Sequence, residues 1–473
     1  MPSLAFMRFA LALTCLTYTS LATADLNLKL PDMDLSNVPS SASSALGGLQ
    51  DQQQGLALLR DLRSSRPLIE DPELCDAINA LGQRLAARSP NSVGKLYFVI
   101  ENNNLVNAYT LTGGVIVINS GLILNTQSES ELAAVMAHEI AHVAQRHIAR
   151  MQEETKNSPL IAGLGVLAGA AVASQSPDAA QAIVSSTLAL QAHQQIVFTQ
   201  QAEAEADRVG LRILANAHFN TEAMPYFLEK LERSESSRYG DVTKYLSTHP
   251  MSIDRLSDTR SLVNQLPKLK PSEDANYASL RERLRIITGQ TATPLLANTL
   301  KSSSTAYAQA FQALRSGNPA ASLTANLVGW SGLILQAQAL NQLKRYGEAE
   351  RRLQGLANQA STQAALTLAL AESQLGQNKP ALALQTLSRL VLSETIGLEF
   401  FEDAQRLAQQ ANAPADASFY NGSRSLRLGE YAHAVSTAEQ ALKLPNSSVI
   451  SLRNLRNLKN EAERQLLNTA QHK

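Results

Sequence analysis

Apolar residues recur at helical spacing through Leu74, Ile78, Leu81 and Leu85, which predicts a helix over Asp71–Arg88. The period then changes. Leu96–Glu101 (LYFVIE) and Val115–Asn119 (VIVIN) are aromatic and β-branched runs that read as strands, and Ala108–Leu111 is a third candidate. Gly113-Gly114 marks a turn, and Ser120-Gly121 ends the last strand. A helix start follows: Ser128 can cap, Glu131 stands where a capping box requires it, and no Gly or Pro interrupts Leu132–Arg150. Gln181–Ala217 reads as another helix. Between them Leu160–Ala173 (LIAGLGVLAGAAVA) is apolar and rich in small residues, yet shorter than the ~20 residues that span a bilayer. It reads first as a buried helix packed through Gly and Ala, and second as a candidate peripheral membrane contact.

The two ends carry other patterns. Met1–Arg8 holds one positive charge, Phe9–Leu21 is mostly apolar, and Ala22-Thr23-Ala24 is small-x-small, which predicts a signal peptide cleaved after Ala24. In a Gram-negative source the address would be the periplasm. Residues 25–55 read as a polar linker. Cys15 lies in the apolar run without a lipoprotein-type neighbourhood, so the mature chain would keep Cys75 alone, buried and without an internal disulfide. Leu266–Ala275 (LPKLKPSEDA), with two prolines, reads as a domain boundary. Beyond it the chain is helical with an internal echo. Asn341–Ala349 (NQLKRYGEA), Leu375–Ala381 (LGQNKPA) and Ser425–Ala434 (SLRLGEYAHA) share a turn followed by Ala, and Ser316–Ala321 is a fainter copy. Ala349 and Ala381 stand close to the ~34-residue period of tetratricopeptide repeats, and the others fall off it. Stacked helix pairs of this kind present a concave surface to partner proteins.

Composition narrows the picture. A chain of 473 residues is too long for one ordinary core, so two or three domains are expected. Apolar residues at 44% suffice for a core, while only 5% aromatics favours helices over sandwiches. Lys plus Arg equals Asp plus Glu at 41 each, and without a basic surplus no nucleic-acid partner is expected.

The chemistry is concentrated in two places. His138 and His142 are four apart on a predicted helix and can aim two imidazoles at one metal, while Glu139, offset around the helix, can reach a water without being a ligand. A catalytic zinc wants a third protein ligand and an open position. Glu203, in Ala202-Glu203-Ala204-Glu205-Ala206-Asp207, supplies the third ligand, and Asp207 on the same face would accept the free N–H of a ligand His. Glu205 points off that face and reads as solvated or capping another charge. Glu139 would be the general base of a peptide hydrolysis, and His249 and Arg255 are the candidates for a second oxyanion donor. His147, His193, His218, His433 and His472 lack ligand spacing and read as structural or solvent-facing.

Asn107-Ala108-Tyr109, Gly113–Leu122, His138–His142, Glu203–Gly210 and His249-Pro250 followed by Arg255 together resemble the BepA-like and HtpX-like zinc metallopeptidases. Thr199-Gln200 departs from the Ser-Arg often found there in the family. The resemblance implies an α+β zincin-like (gluzincin) metallopeptidase domain, mostly helical with a small sheet, followed by an all-α tetratricopeptide-repeat domain. The division expected is 1–24 signal peptide, 25–55 linker, 56–268 peptidase, 269–300 connection and 301–470 repeats. It implies one zinc per chain on His138, His142 and Glu203. Asn107, Gly113, Gly114, Val115, Ile116 and Val117 would hold substrate, with the Val115–Asn119 strand edging the cleft and adding substrate as a strand. His249 would close the open metal position and keep the enzyme latent. The implied partners are unfolded or stalled outer-membrane proteins and, through the repeats, the barrel-assembly machinery. The alternative reading is a chaperone or adaptor acting through the repeats, its peptidase site held closed.

Overall fold

The computed structural model describes residues 45–155, 181, 199–236, 249–250, 253–266, 268, 275–290, 302–356, 363–390 and 392–471. The signal peptide, most of the 25–55 linker, the Leu160–Ala173 segment, His193 and His472 lie outside the described residues.

A four-stranded sheet is built from β1 (Leu68–Ile69), β2 (Tyr97–Glu101), β3 (Ala108–Leu111) and β4 (Val115–Asn119), in the order β1-β2-β4-β3. β2 and β4 run parallel, in register from Tyr97 opposite Val115 to Glu101 opposite Asn119. β3 returns antiparallel to β4 across Gly113 (φ 72°) and Gly114 (φ 76°), left-handed positions that glycine adopts without strain. Val115 to Asn119 are all buried because both faces of the sheet are covered. Val115 and Val117 pack with Tyr97, Val99 and with Leu59 and Leu62 of α1 (Ala45–Ser65). Ile116 and Ile118 face the opposite way, into a core shared with α2 (Pro72–Ala86), capped at Asp71, and α4 (Glu129–Ala144).

This order corrects one expectation. Val115–Asn119 does not edge a cleft: β4 is hydrogen-bonded on both sides, by β2 and by β3, and has no free edge to offer a substrate. The outer strands are β1 and β3, and β3 lies against α4.

α3 (Ser120–Asn125) follows β4 directly. α4 begins as the capping pattern predicts, with Ser128 Oγ accepting from Glu131 N at 3.3 Å, although the Glu131 carboxylate reaches back to Gln127 N. Its other end differs. The helix expected to run through Arg150 stops at Ala144, Arg146 takes a left-handed conformation (φ 54°), and α5 (His147–Thr155) starts on a new axis. α6 (residues 199–216), α7 (Ala223–Ser236), α8 (Ile253–Gln265) and α9 (Ala275–Thr288) complete the surroundings of the sheet.

The remaining described chain is helical: α10 (Ser302–Arg315), α11 (Pro319–Leu323), α12 (Gly329–Gln342), α13 (Tyr346–Leu353), α14 (Gln363–Gly376), α15 (Pro380–Arg389), α16 (Leu398–Gln410), α17 (Pro414–Arg427), α18 (Tyr431–Ala441) and α19 (Val449–Gln471). Left-handed residues other than glycine punctuate it at Lys344, Asn378, Asn412 and Asn446. One continuous apolar core extends from Ile69 in β1 to Ala369 in α14, taking in Tyr277, Leu280 and Leu284 of α9 and Trp330 of α12. Cys75 is buried and free, and burial pushes its thiol well above the usual range. Among the described residues no helix is long and apolar enough to cross a membrane.

Candidate metal centre

α4 places His138 and His142 one turn apart, as the sequence spacing requires, and their Nε2 atoms are 3.0 Å apart. α6 crosses beside them. Glu203 Oε2 is 3.3 Å from His138 Nε2, and Glu203 Oε1 is 3.3 Å from His142 Nε2. His249 comes from a distant part of the chain and sets Nδ1 3.1 and 3.2 Å from the two Glu203 oxygens and 3.3 Å from His138 Nε2. One ligand atom from each of His138, His142, Glu203 and His249 lies within 4.8 Å of the others.

The neighbours fix the orientation of this set. His138 Nδ1 donates to Asp207 Oδ1 at 3.0 Å, which turns Nε2 toward the cluster. Arg255 holds Asp207 through Nε (2.8 Å) and Nη2 (2.9 Å), and its Nη1 lies 3.0 Å from both Glu203 Oε2 and the Pro250 carbonyl. All three guanidinium nitrogens are thus engaged, and Arg255 positions carboxylates instead of serving as the oxyanion donor the sequence suggested. His249 Nε2 is 3.3 Å from Glu139 Oε1. Thr110 Oγ1, from β3, donates to Glu139 Oε2 at 3.0 Å.

The electrostatics agree with a cation site. Glu139, Glu203 and Asp207 are buried together, and among the described residues Arg255 is the guanidinium paired with Glu203 and Asp207, so a cation at the cluster would offset the remaining negative charge. Burial alone would raise the Glu203 and Asp207 pKa values, but His138 holds Glu203 well below the usual carboxylate range, and Arg255 and His138 lower Asp207. Burial opposes charge on His138, and Glu203 and Asp207 outweigh it, raising its pKa to about 10. His142 is lowered to about 3 by burial and by the charge on His138. Burial raises Glu139 despite His249, His138 and Thr110. Its Oε1 is buried without a hydrogen bond among the described residues and faces His249 Nε2 at 3.3 Å. Imidazole nitrogens with a carboxylate are the donor chemistry of zinc, and the residues fit it.

The other expected site residues fall elsewhere. Asn107 is buried, its carbonyl accepting from Asn119 N at 3.0 Å. Gly113 and Gly114 form the β3–β4 turn, and Val115, Ile116 and Val117 are fully sealed in the sheet, so their side chains do not line a cleft. His147 is a correction of the opposite kind. The break at Arg146 turns its ring back, so that His147 Nδ1 lies 2.8 Å from His142 Nδ1 and Nε2 lies 3.1 Å from Glu205 Oε2. A continuous helix would have carried it nearly opposite the ligands. Thr110 was not singled out either, since nothing local in the sequence ties that strand to Glu139.

The family model for Peptidase family M48 matches residues 73–263. The chain is 35% identical over 367 residues to the beta-barrel assembly-enhancing protease of Yersinia pestis, covering 77% of this chain and 71% of that protein. The chain belongs to the beta-barrel assembly-enhancing protease family of M48 peptidases. The protein of that name from Escherichia coli (strain K12) is 41% identical over 263 residues, 55% of this chain and 53% of its own length, so the match spans about half of that relative. A mitochondrial metalloendopeptidase, OMA1 of Arabidopsis thaliana, is 34% identical over 152 residues, 32% of this chain and 28% of the relative. The cluster around His138 therefore lies inside the matched part of a metallopeptidase family.

Proposed function

We propose that this chain is a periplasmic zinc endopeptidase that removes misfolded or stalled outer-membrane proteins and assists their assembly. The observation that carries the reading is the convergence of His138, His142, Glu203 and His249 beside the buried carboxylate of Glu139, whose Oε1 lies 3.3 Å from His249 Nε2. Zinc, when bound, supplies a charge that acidifies a water and polarises a carbonyl. Glu139 then takes a proton at Oε1 and delivers it to the leaving amine, while Thr110 steadies Oε2 and Asp207 with Arg255 keeps His138 aimed. Substrate adds as a strand on β3, the outer strand next to Glu139, in place of the sealed Val115–Asn119.

His249 would help hold the metal and so act as a latch, a reading supported by its burial against Glu203, His138 and Glu139. The C-terminal helices act as tetratricopeptide repeats that dock the barrel-assembly machinery. Their left-handed turn residues Lys344, Asn378, Asn412 and Asn446 stand about 34 residues apart, the period of that repeat, which favours this division over a plain bundle. The signal peptide with cleavage after Ala24 and the division into residues 56–268 and 301–470 belong to the same proposal. So does membrane contact through Leu160–Ala173.

The test is zinc stoichiometry on the purified mature chain, paired with casein cleavage. One zinc per chain, low wild-type activity, none in Glu139→Gln and more in His249→Ala is the expected result. Without stoichiometric zinc the ligand assignment fails. One zinc with no cleavage by any variant moves the function to partner binding through the repeats, the adaptor reading.

A further inference from the structure

The structure assigns His147 and Glu205 a joint role: we propose that they form a relay that fixes the tautomer of His142 and so presents its Nε2 lone pair to the metal. The inference rests on the metal reading above and adds residues to it.

Hydrogen-bond polarity decides the argument. The carboxylate of Glu205 only accepts, so His147 Nε2, 3.1 Å away, carries the proton. Arg150 Nη1 reaches the same Glu205 oxygen at 2.9 Å and holds the carboxylate in place. A ligand His142 that offers its Nε2 lone pair carries its proton on Nδ1, so across the 2.8 Å between the two Nδ1 atoms His142 donates and His147 accepts. His142 in turn keeps its lone pair on Nε2, the atom 3.3 Å from Glu203 and 3.0 Å from His138 Nε2.

The arrangement parallels the one at the other ligand. Asp207, held by Arg255, orients His138; Glu205, held by Arg150, orients His142 through one extra ring. α6 thus contributes a ligand and both orienting carboxylates, Glu203, Glu205 and Asp207. His147 is 4% exposed and reaches its place only through the left-handed turn at Arg146. Burying a ring with both nitrogens satisfied, between a metal ligand and a carboxylate, is the pattern of an outer-shell orienting group, whose loss typically costs about 10–100-fold in metal affinity.

The experiment measures zinc affinity by chelator competition on the full mature chain, for wild type, His147→Leu, His147→Asn and Glu205→Ala. Thermal melts of the metal-free proteins and absorption spectra of the cobalt-substituted ones accompany it. His147→Leu is expected to weaken zinc about 10–100-fold and to alter the cobalt spectrum. His147→Asn places an acceptor oxygen near the former Nδ1 and is expected to restore most of that loss, which a merely structural role would not predict. Glu205→Ala, at a partly exposed side chain, is expected to weaken zinc with little change in the metal-free melt, and it decides the matter if His147→Leu does not fold. Wild-type affinity in both His147→Leu and Glu205→Ala would overturn the relay alone. A wild type that binds no zinc would overturn the metal reading and the relay with it.

Discussion

The two oxygens of Glu139 live in different surroundings. Oε2 accepts from Thr110, whereas Oε1 is buried without a hydrogen bond among the described residues. Burial raises the pKa of this carboxyl, and the Thr110 hydroxyl is among the groups that pull it back. Thr110→Val keeps the shape and removes the donor, so the neutral form gains and the pKa climbs further. A general base works only when ionised, so the acid limb of the pH–rate profile is expected to move to higher pH. The profile of kcat/KM, measured in a His249→Ala background to expose the site, checks this, and an unmoved limb would show that Thr110 does not tune the base. At this scale the sequence is informative wherever the geometry is local. The spacing of His138, His142, Glu203 and Asp207 already implies shared helix faces. Thr110 and His147 were illegible because one depends on a strand docking on α4 and the other on a helix break that carries neither Gly nor Pro.

Elements are positioned by a few close approaches. On α6, Gly210 continues the face of Glu203 and Asp207, and a Cβ there would stand 3.2 Å from both Cα and N of His138. The helix bearing the carboxylates therefore passes almost in contact with the backbone of the helix bearing the imidazoles. Gly210→Val forces them apart, which is expected to cost about 1–3 kcal/mol by overpacking and to weaken zinc binding as Glu203 and Asp207 move together. Urea denaturation and zinc competition on the same protein separate the two effects: lost stability with unchanged zinc affinity would mean that the crossing fills space without setting the ligand distances. Strands were readable from VIVIN and its neighbours because β-branched runs are local signals. Their order was not. β3 precedes β4 in the chain yet lies outside it, and the parallel pairing of β2 with β4 is fixed by packing on both sides of the sheet.

On the scale of the whole molecule, acidic residues of the peptidase's first elements cap helices of the C-terminal region. Glu70 Oε2 accepts from Leu398 N at 2.8 Å at the start of α16, where Gly397 offers no side-chain cap, and Asp76 Oδ2 accepts from Ala364 N at 2.7 Å at the start of α14. Arg283 grips Asp71 at 2.9 and 2.7 Å and stands 3.3 Å from Glu73, while Ser331 of α12 and Tyr307 of α10 donate to Glu73. None of these pairings was legible, since the partners are far apart in sequence and no repeat or motif links them. They give the seam a pH dependence. Burial raises Asp76 from 3.8 to about 7 against the Ala364 and Ala365 N–H groups, with Asp71 and Glu73 adding to the rise; burial and Asp71 raise Glu399 to about 7. A carboxyl whose folded pKa exceeds its unfolded value binds its proton more tightly in the folded chain. The stability it contributes is complete below the unfolded pKa and lost as pH rises through about 7. Asp76→Asn keeps an acceptor oxygen for the Ala364 N–H and removes that titration. Scanning calorimetry between about pH 5 and pH 8 is therefore expected to show a smaller fall in Tm for Asp76→Asn than for wild type. An equal fall in both proteins would mean that Asp76 does not govern the seam, and would leave Glu399 and Glu73, the other carboxyls there with raised pKa values, as the groups to vary next.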